Sequence, residues 1–241
     1  MKKLKYLVLT LLLVVAVGCG AKSNPEEILK QASQNMKNLD SYHMDMTMDM
    51  KMNYEGTKIE MSAKVSSDLD VKNGVGALET TASFLGVSET QKSYFTTKDG
   101  ITTTYSQEDG EWYKETEEDT SNSVDFDIFS GASSIEKVKG EKNTYKIVLS
   151  DEQVKELIGS ADEDVANMEF DKIDIKITVE NEKITKMVMT MGVEGSEITF
   201  TMEFSKFNEV SATIPEDVIK NAVDYEDYEF DFEDDDYEFD L

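Results

Sequence analysis

From Tyr42 to Tyr54 the chain alternates without a break. Tyr42, Met44, Met46, Met48, Met50, Met52 and Tyr54 are apolar or aromatic, and His43, Asp45, Thr47, Asp49 and Lys51 lie between them. A period of two predicts a β-strand with one apolar face and one wet face. Glu55 and Gly56 predict a turn. The following strand sets Ile59, Met61, Ala63, Val65, Leu69 and Val71 on one side and Lys58, Glu60, Lys64, Asp68 and Asp70 on the other. At about 3.3 Å per residue each strand runs roughly 40 Å, well beyond the usual five or six residues. Long strands with one wet face predict a large, curved antiparallel sheet.

The same reading extends along the chain. Asn24 and Pro25 predict an N-cap and first helical residue, with Glu26 and Glu27 where the helix dipole favours acids. Ile28, Leu29, Ala32, Met36 and Leu39 then form one stripe, so 25–38 is an amphipathic helix. Hairpin-turn signals at Asn73-Gly74, Asp99-Gly100 and Asp109-Gly110 separate apolar-polar segments at 78–84, 90–97, 101–106 and 112–114. Residues 117–125 predict a loop, and Ser150 with Gln153 predicts the capping box of a helix carrying Val154, Leu157 and Ile158. A meander follows: Ile173, Ile175, Ile177 and Val179; Met187, Met189 and Met191; then Ile198, Phe200, Met202 and Phe204, with turns at Asn181-Glu182 and Gly195. A short helix starts at Pro215 and ends near Val223.

The amino terminus changes the picture from a sheet to a sheet with an address. Lys2, Lys3 and Lys5 precede an apolar run from Leu7 to Val17, too short for the roughly 20 residues that span a bilayer but right for a secretory signal. Ala16-Val17-Gly18-Cys19 resembles the bacterial lipobox, which implies a diacylglycerol on Cys19. Cys19 is the chain's single cysteine, so a domain beyond it has no disulfide and depends on its core. The expected organisation is a signal peptide over 1–18, a lipidated tether over 19–24, one β-rich domain over 25–223 and an acidic-aromatic tail over 224–241.

Charge narrows the partners. Three of the 24 basic residues and none of the 51 acidic ones precede Cys19, so the chain beyond it carries −30. Nucleic acid and bare anionic membrane need basic surface and are not expected partners. Every basic residue is lysine, which removes the bidentate arginine clamps that phosphate and carboxylate sites favour. The tail holds eleven acids and six aromatics in eighteen residues, a composition that predicts disorder. It could also bind calcium loosely, dock an envelope protein through Tyr225, Tyr228, Phe230, Phe232, Tyr237 and Phe239, or cover a cavity mouth.

Nine methionines sit in two hairpins: Met44, Met46, Met48, Met50, Met52, Met61, Met187, Met189 and Met191. Three readings compete for them. They fill a core; they line an adaptable pocket for a greasy ligand, as unbranched, polarizable side chains do; or their thioethers converge on Cu(I). Copper sites add histidine or cysteine, whereas His43, the single histidine, faces away from Met44. Ser41, His43 and Asp45 share the wet face of one strand at a spacing that fits no catalytic triad. No G-x-S-x-G, Walker loop, H-E-x-x-H or paired-cysteine motif occurs. No enzyme activity, catalytic residue, metal or cofactor is therefore expected.

The order of these parts resembles a known layout. A lipobox, a helix opening Pro25-Glu26-Glu27, Ser41-Tyr42-His43 at the start of a long strand pair, Asp109-Gly-Glu-Trp-Tyr-Lys114 and Ile214-Pro-Glu-Asp-Val-Ile219 recur in lipoproteins of low-GC Gram-positive bacteria. Those are similar to the LolA/LppX-like lipoprotein superfamily. The resemblance implies an α+β fold: a half-open antiparallel barrel with an N-terminal helix and short helices on its concave face. It also implies an apolar cavity and a carrier or sensor of lipid or acyl chains on the extracytoplasmic face of the membrane. The nine methionines with Phe200, Met202 and Phe204 would line that cavity. The alternative is a ligand-free module that binds a cell-envelope protein.

Overall fold

A computed structural model describes residues 24–54, 57–84, 86–118, 126–127, 129–149, 170–193 and 196–225. The signal segment, Cys19, the helix expected from Ser150 and the tail beyond Tyr225 lie outside these residues. Helix α1 (Pro25–Lys37) starts as its sequence dictates: Asn24 Oδ1 accepts from the Glu26 amide at 3.3 Å, and Pro25 occupies the first turn. Its apolar stripe buries Leu29, Ala32 and Met36. Six strands then run as a meander: β1 (Ser41–Tyr54), β2 (Thr57–Asp70), β3 (Val75–Phe84), β4 (Val87–Lys98), β5 (Ile101–Glu108) and β6 (Glu111–Glu118). A second meander comprises β7 (Ser134–Lys137), β8 (Thr144–Val148), β9 (Phe170–Glu180), β10 (Lys183–Val193) and β11 (Ser196–Ser205). A short helix, α2 (Glu216–Asn221), and a two-residue strand, β12 (Val223–Asp224), follow.

All twelve strands join one open, curved sheet in the order β12-β6-β5-β4-β3-β2-β1-β11-β10-β9-β8-β7. Every pairing is antiparallel except β12 on β6. The sheet is a half-open barrel, its two ends, β12 and β7, remaining apart. Tight turns fix the register where the sequence supplies left-handed backbone. Asp99-Gly100 has φ of 54° and 78° and Asp109-Gly110 has 50° and 87°, the paired positive angles that two-residue hairpins require. Asn181 and Glu182 do the same without glycine, at 48° and 60°. The Glu182 carbonyl accepts from Asn35 Nδ2 at 2.7 Å, which ties α1 to the β9–β10 turn.

The core lies on the concave side, under α1. Leu29, Ala32 and Met36 pack with Ile175, Ile177, Val179, Ile184, Met187, Tyr145 and Ile147. Tyr42, Phe126 and Phe204 close its lower end as three edge-on rings, with centroids 5.5–6.2 Å apart. Burial pushes the Tyr42 phenol up from its ordinary value. The convex side is polar and ruled with hydroxyl pairs, such as Thr81–Thr90 at 2.9 Å and Ser83–Ser88 at 2.7 Å.

After β11 the chain turns at Lys206 and Asn208, both with positive φ, and passes to the far edge of the sheet, where β12 pairs with β6. Asn208 fastens the start of this crossing: its Oδ1 accepts from the Asp40 amide at 2.8 Å and its own amide donates to the Ser41 carbonyl at 2.8 Å. Val218 of α2 is buried. The structure adds three strands beyond the expected elements, namely β7, β8 and β12. It also lengthens β6, so Glu117 and Glu118 are strand rather than loop.

Candidate apolar binding face

Strand register decides which side chains share a face, because directly paired residues point the same way. Three concave rows cross the sheet. One runs Ala82–Ala63–Met48–Phe200–Met189–Ile175–Ile147–Ile135. A second runs Val65–Met46–Met202–Met187–Ile177–Tyr145, and a third Phe84–Met61–Met50–Ile198–Met191–Ile173. The two methionine hairpins, far apart in sequence, are therefore brought onto one surface through β11.

Burial is uneven along these rows. Ile147, Ile175 and Ile177 are closed off beneath α1. On the same face Met44, Met46, Met48, Met50, Met52, Met61, Met189, Met191, Phe200 and Met202 keep partial solvent contact. At the turn end Phe84 is 49 % exposed and Val87 73 %. Two of the expected lining residues belong to the core instead: Met187 and Phe204 are each 3 % exposed, beneath α1 and the Tyr42–Phe126 pair respectively. Met189, Met202 and Met44 border the core and mark where the closed half gives way to the open half.

The concavity is thus a trough rather than a sealed chamber. Two clefts flank it. One of about 490 Å³ opens at the turn end between Asp49, Met50, Met61, Ser83 and Phe84. The other, about 340 Å³, lies between α1 and the turns after β7 and β9, lined by Ile28, Gln31, Tyr145, Val179 and Glu182.

The convex face carries a cluster that the sequence reading passed over. His43 Nδ1 lies 2.6 Å from Asp68 Oδ1 and Nε2 lies 3.2 Å from Asp45 Oδ2, and the ring is only 15 % exposed. His43 was expected on the wet face, and it is there, but clamped rather than free. Burial pushes the Asp45 carboxyl up; the Ser66 hydroxyl, the charge and hydrogen bond of His43 and the charge of Lys64 outweigh it and hold the carboxyl below its ordinary value. Ser41 shares this face but is buried, its Oγ accepting from the Val210 amide at 3.2 Å. Among the described residues no group of three or more histidine, cysteine, aspartate or glutamate side chains is placed to hold a metal ion.

Residues 24–223 match a family described as a family of unknown function, DUF6612, and the chain belongs to that family. No curated protein matches it in sequence. Similar solved structures include LprF from Mycobacterium bovis, at 13 % identity and a TM-score of 0.37, covering 79 % of this chain and 95 % of that one. A β-barrel-like protein of a domain of unknown function from Brucella abortus has 7 % identity and a TM-score of 0.32, over 69 % and 99 % of the two chains. A LolA superfamily protein from Nitrosomonas europaea has 11 % identity and a TM-score of 0.30, over 81 % and 96 %. Scores this low do not equate shapes, and the fold described above rests on its own register.

Proposed function

We propose that the protein is a lipoprotein, anchored through Cys19 on the extracytoplasmic face of a bacterial membrane, that carries or senses a hydrophobic ligand without catalysing a reaction. The ligand, a lipid or acyl chain, lies along the open methionine half of the concave face. One observation carries the reading. On two of the cross-strand rows Ile147, Ile175 and Ile177 are sealed under α1, whereas Met48 and Met189 on one and Met46 and Met202 on the other remain partly accessible. A surface meant only as core would be covered along its whole length.

Methionine suits such a role because three rotatable bonds let it follow a chain of any shape, and burial of each lipid methylene contributes about 0.8 kcal/mol. The test is native mass spectrometry with lipid extraction on the chain from residue 20, purified without detergent. Co-purifying acyl lipid is expected, and Met48→Lys with Met50→Lys should release it while the circular dichroism spectrum stays unchanged. Clean apo protein that also ignores a fluorescent fatty acid would sink the ligand reading.

A further inference from the structure

The acidic-aromatic tail has a definite point of departure. Val223 and Asp224 pair in parallel with Tyr113 and Lys114 on the outer edge of β6, and Lys114 Nζ meets Asp224 Oδ2 at 3.2 Å. Tyr225 then sets its ring edge-on to Tyr113, with centroids 6.1 Å apart. Tyr113 is 5 % exposed, and register places it on the concave side: Tyr113–Ser106–Ser93–Leu78–Ser67–Met44 is one row. Tyr225 therefore stands on the side of the edge that faces the methionines.

Further pairing along β6 would be unfavourable. The next residues of that edge are Glu115, Thr116, Glu117 and Glu118, and the parallel register would set Asp227 against Glu117. Like charges directly opposite destabilise a strand pair. Beyond Tyr225 the sequence itself alternates. Tyr228, Phe230 and Phe232 fall on one side of an extended chain with Glu229, Asp231 and Glu233 on the other, and Tyr237, Phe239 and Leu241 form a second such run, offset from the first by one residue. Crossing from β6 to β1 takes about 24 Å at about 4.8 Å per strand, and an extended chain covers about 23 Å from Tyr225 to Phe232. Sulfur–aromatic contacts favour such rings on methionine side chains.

We propose that the open methionine face takes the chain's own segment 228–241 as an occupant, aromatic side down and acids toward solvent, in competition with the hydrophobic ligand. The proposal rests on reading this face as an apolar binding surface. A tail that fills the face nine-tenths of the time would weaken the ligand's apparent affinity about tenfold.

The test uses the mature chain with Cys19→Ser and methyl-labelled methionine, compared by NMR with the same chain carrying Phe230→Ser, Phe232→Ser, Tyr237→Ser and Phe239→Ser. Loss of ring-current shifts at Met46, Met48, Met50 and Met61, with Met36 and Met187 unmoved, is the expected result. A fluorescent fatty acid should also bind about tenfold tighter to the serine variant. Unchanged methyl spectra would overturn the tail assignment whatever the probe does. Movement of the same methyls on Leu157→Ser and Ile158→Ser, but not in the tail variant, would give the face to the helix expected there and overturn it too. Methyl shifts without probe binding to either chain would uphold the tail and sink the ligand.

Discussion

At the scale of single residues, the His43 cluster shows how a lone ring can be held by its surroundings. Asp45 is bound more tightly as a carboxylate than as an acid, so its share of stability is present above the carboxyl's ordinary pKa and is lost as pH falls through the lower folded value. Asp45→Asn is expected to lower the urea midpoint at pH 7 and to lose that disadvantage as pH drops below about 3.8. A difference between wild type and variant that is flat with pH would count against the clamp. The cluster was within reach of the sequence. A two-residue connection after Tyr54 sets Tyr54 opposite Thr57 and so Asp68 opposite His43. Reading faces without reading register left the histidine looking unpartnered. The methionine stripe, by contrast, was legible at once, because it needs only the period of one strand.

Among elements, β3 and β4 meet at a point that tolerates no side chain. Gly76 lies beneath the Phe95 ring, and a Cβ there would come within 2.1 Å of it. Gly76→Ala is expected to destabilise by about 1–3 kcal/mol, read as a lower urea midpoint with an unchanged slope. Adding Phe95→Leu should recover part of that loss. Replacing Met46, Met48 and Met50 together by leucine should cost less than about 1.5 kcal/mol for each swap, since volume is conserved. The long strands and α1 were legible because each repeats its period over ten or more residues. β7 and β8 were not: they have four and five residues and flank the lysine-rich segment 137–143. β12 was hidden by its acidic surroundings, and the Lys114–Asp224 pair and the Tyr113–Tyr225 contact help to hold it on the edge. The core membership of Met187 and Phe204 was hidden too, because alternation gives a face but not the position of the helix across it.

For the molecule as a whole, a formal charge of −27 means that self-repulsion works against the folded state. Raising sodium chloride from 0.02 M to about 0.5 M should therefore raise the melting temperature, by about 2–4 °C for each kcal/mol of repulsion relieved. A melting temperature indifferent to salt would show that the lysines already balance the field locally. The pairing of β1 with β11 has a further consequence, in time rather than space. His43 and Ser205 face each other across that seam, yet about 160 residues separate them in the chain. At ribosomal rates of about 5–20 residues per second, β1 emerges some 8–32 s before its partner exists. For that interval the methionine stripe of β1 stands as a half-paired template, open to any passing strand. Its charged flank of Asp45, Asp49 and Lys51 then guards a newborn chain before it ever faces solvent on a finished one.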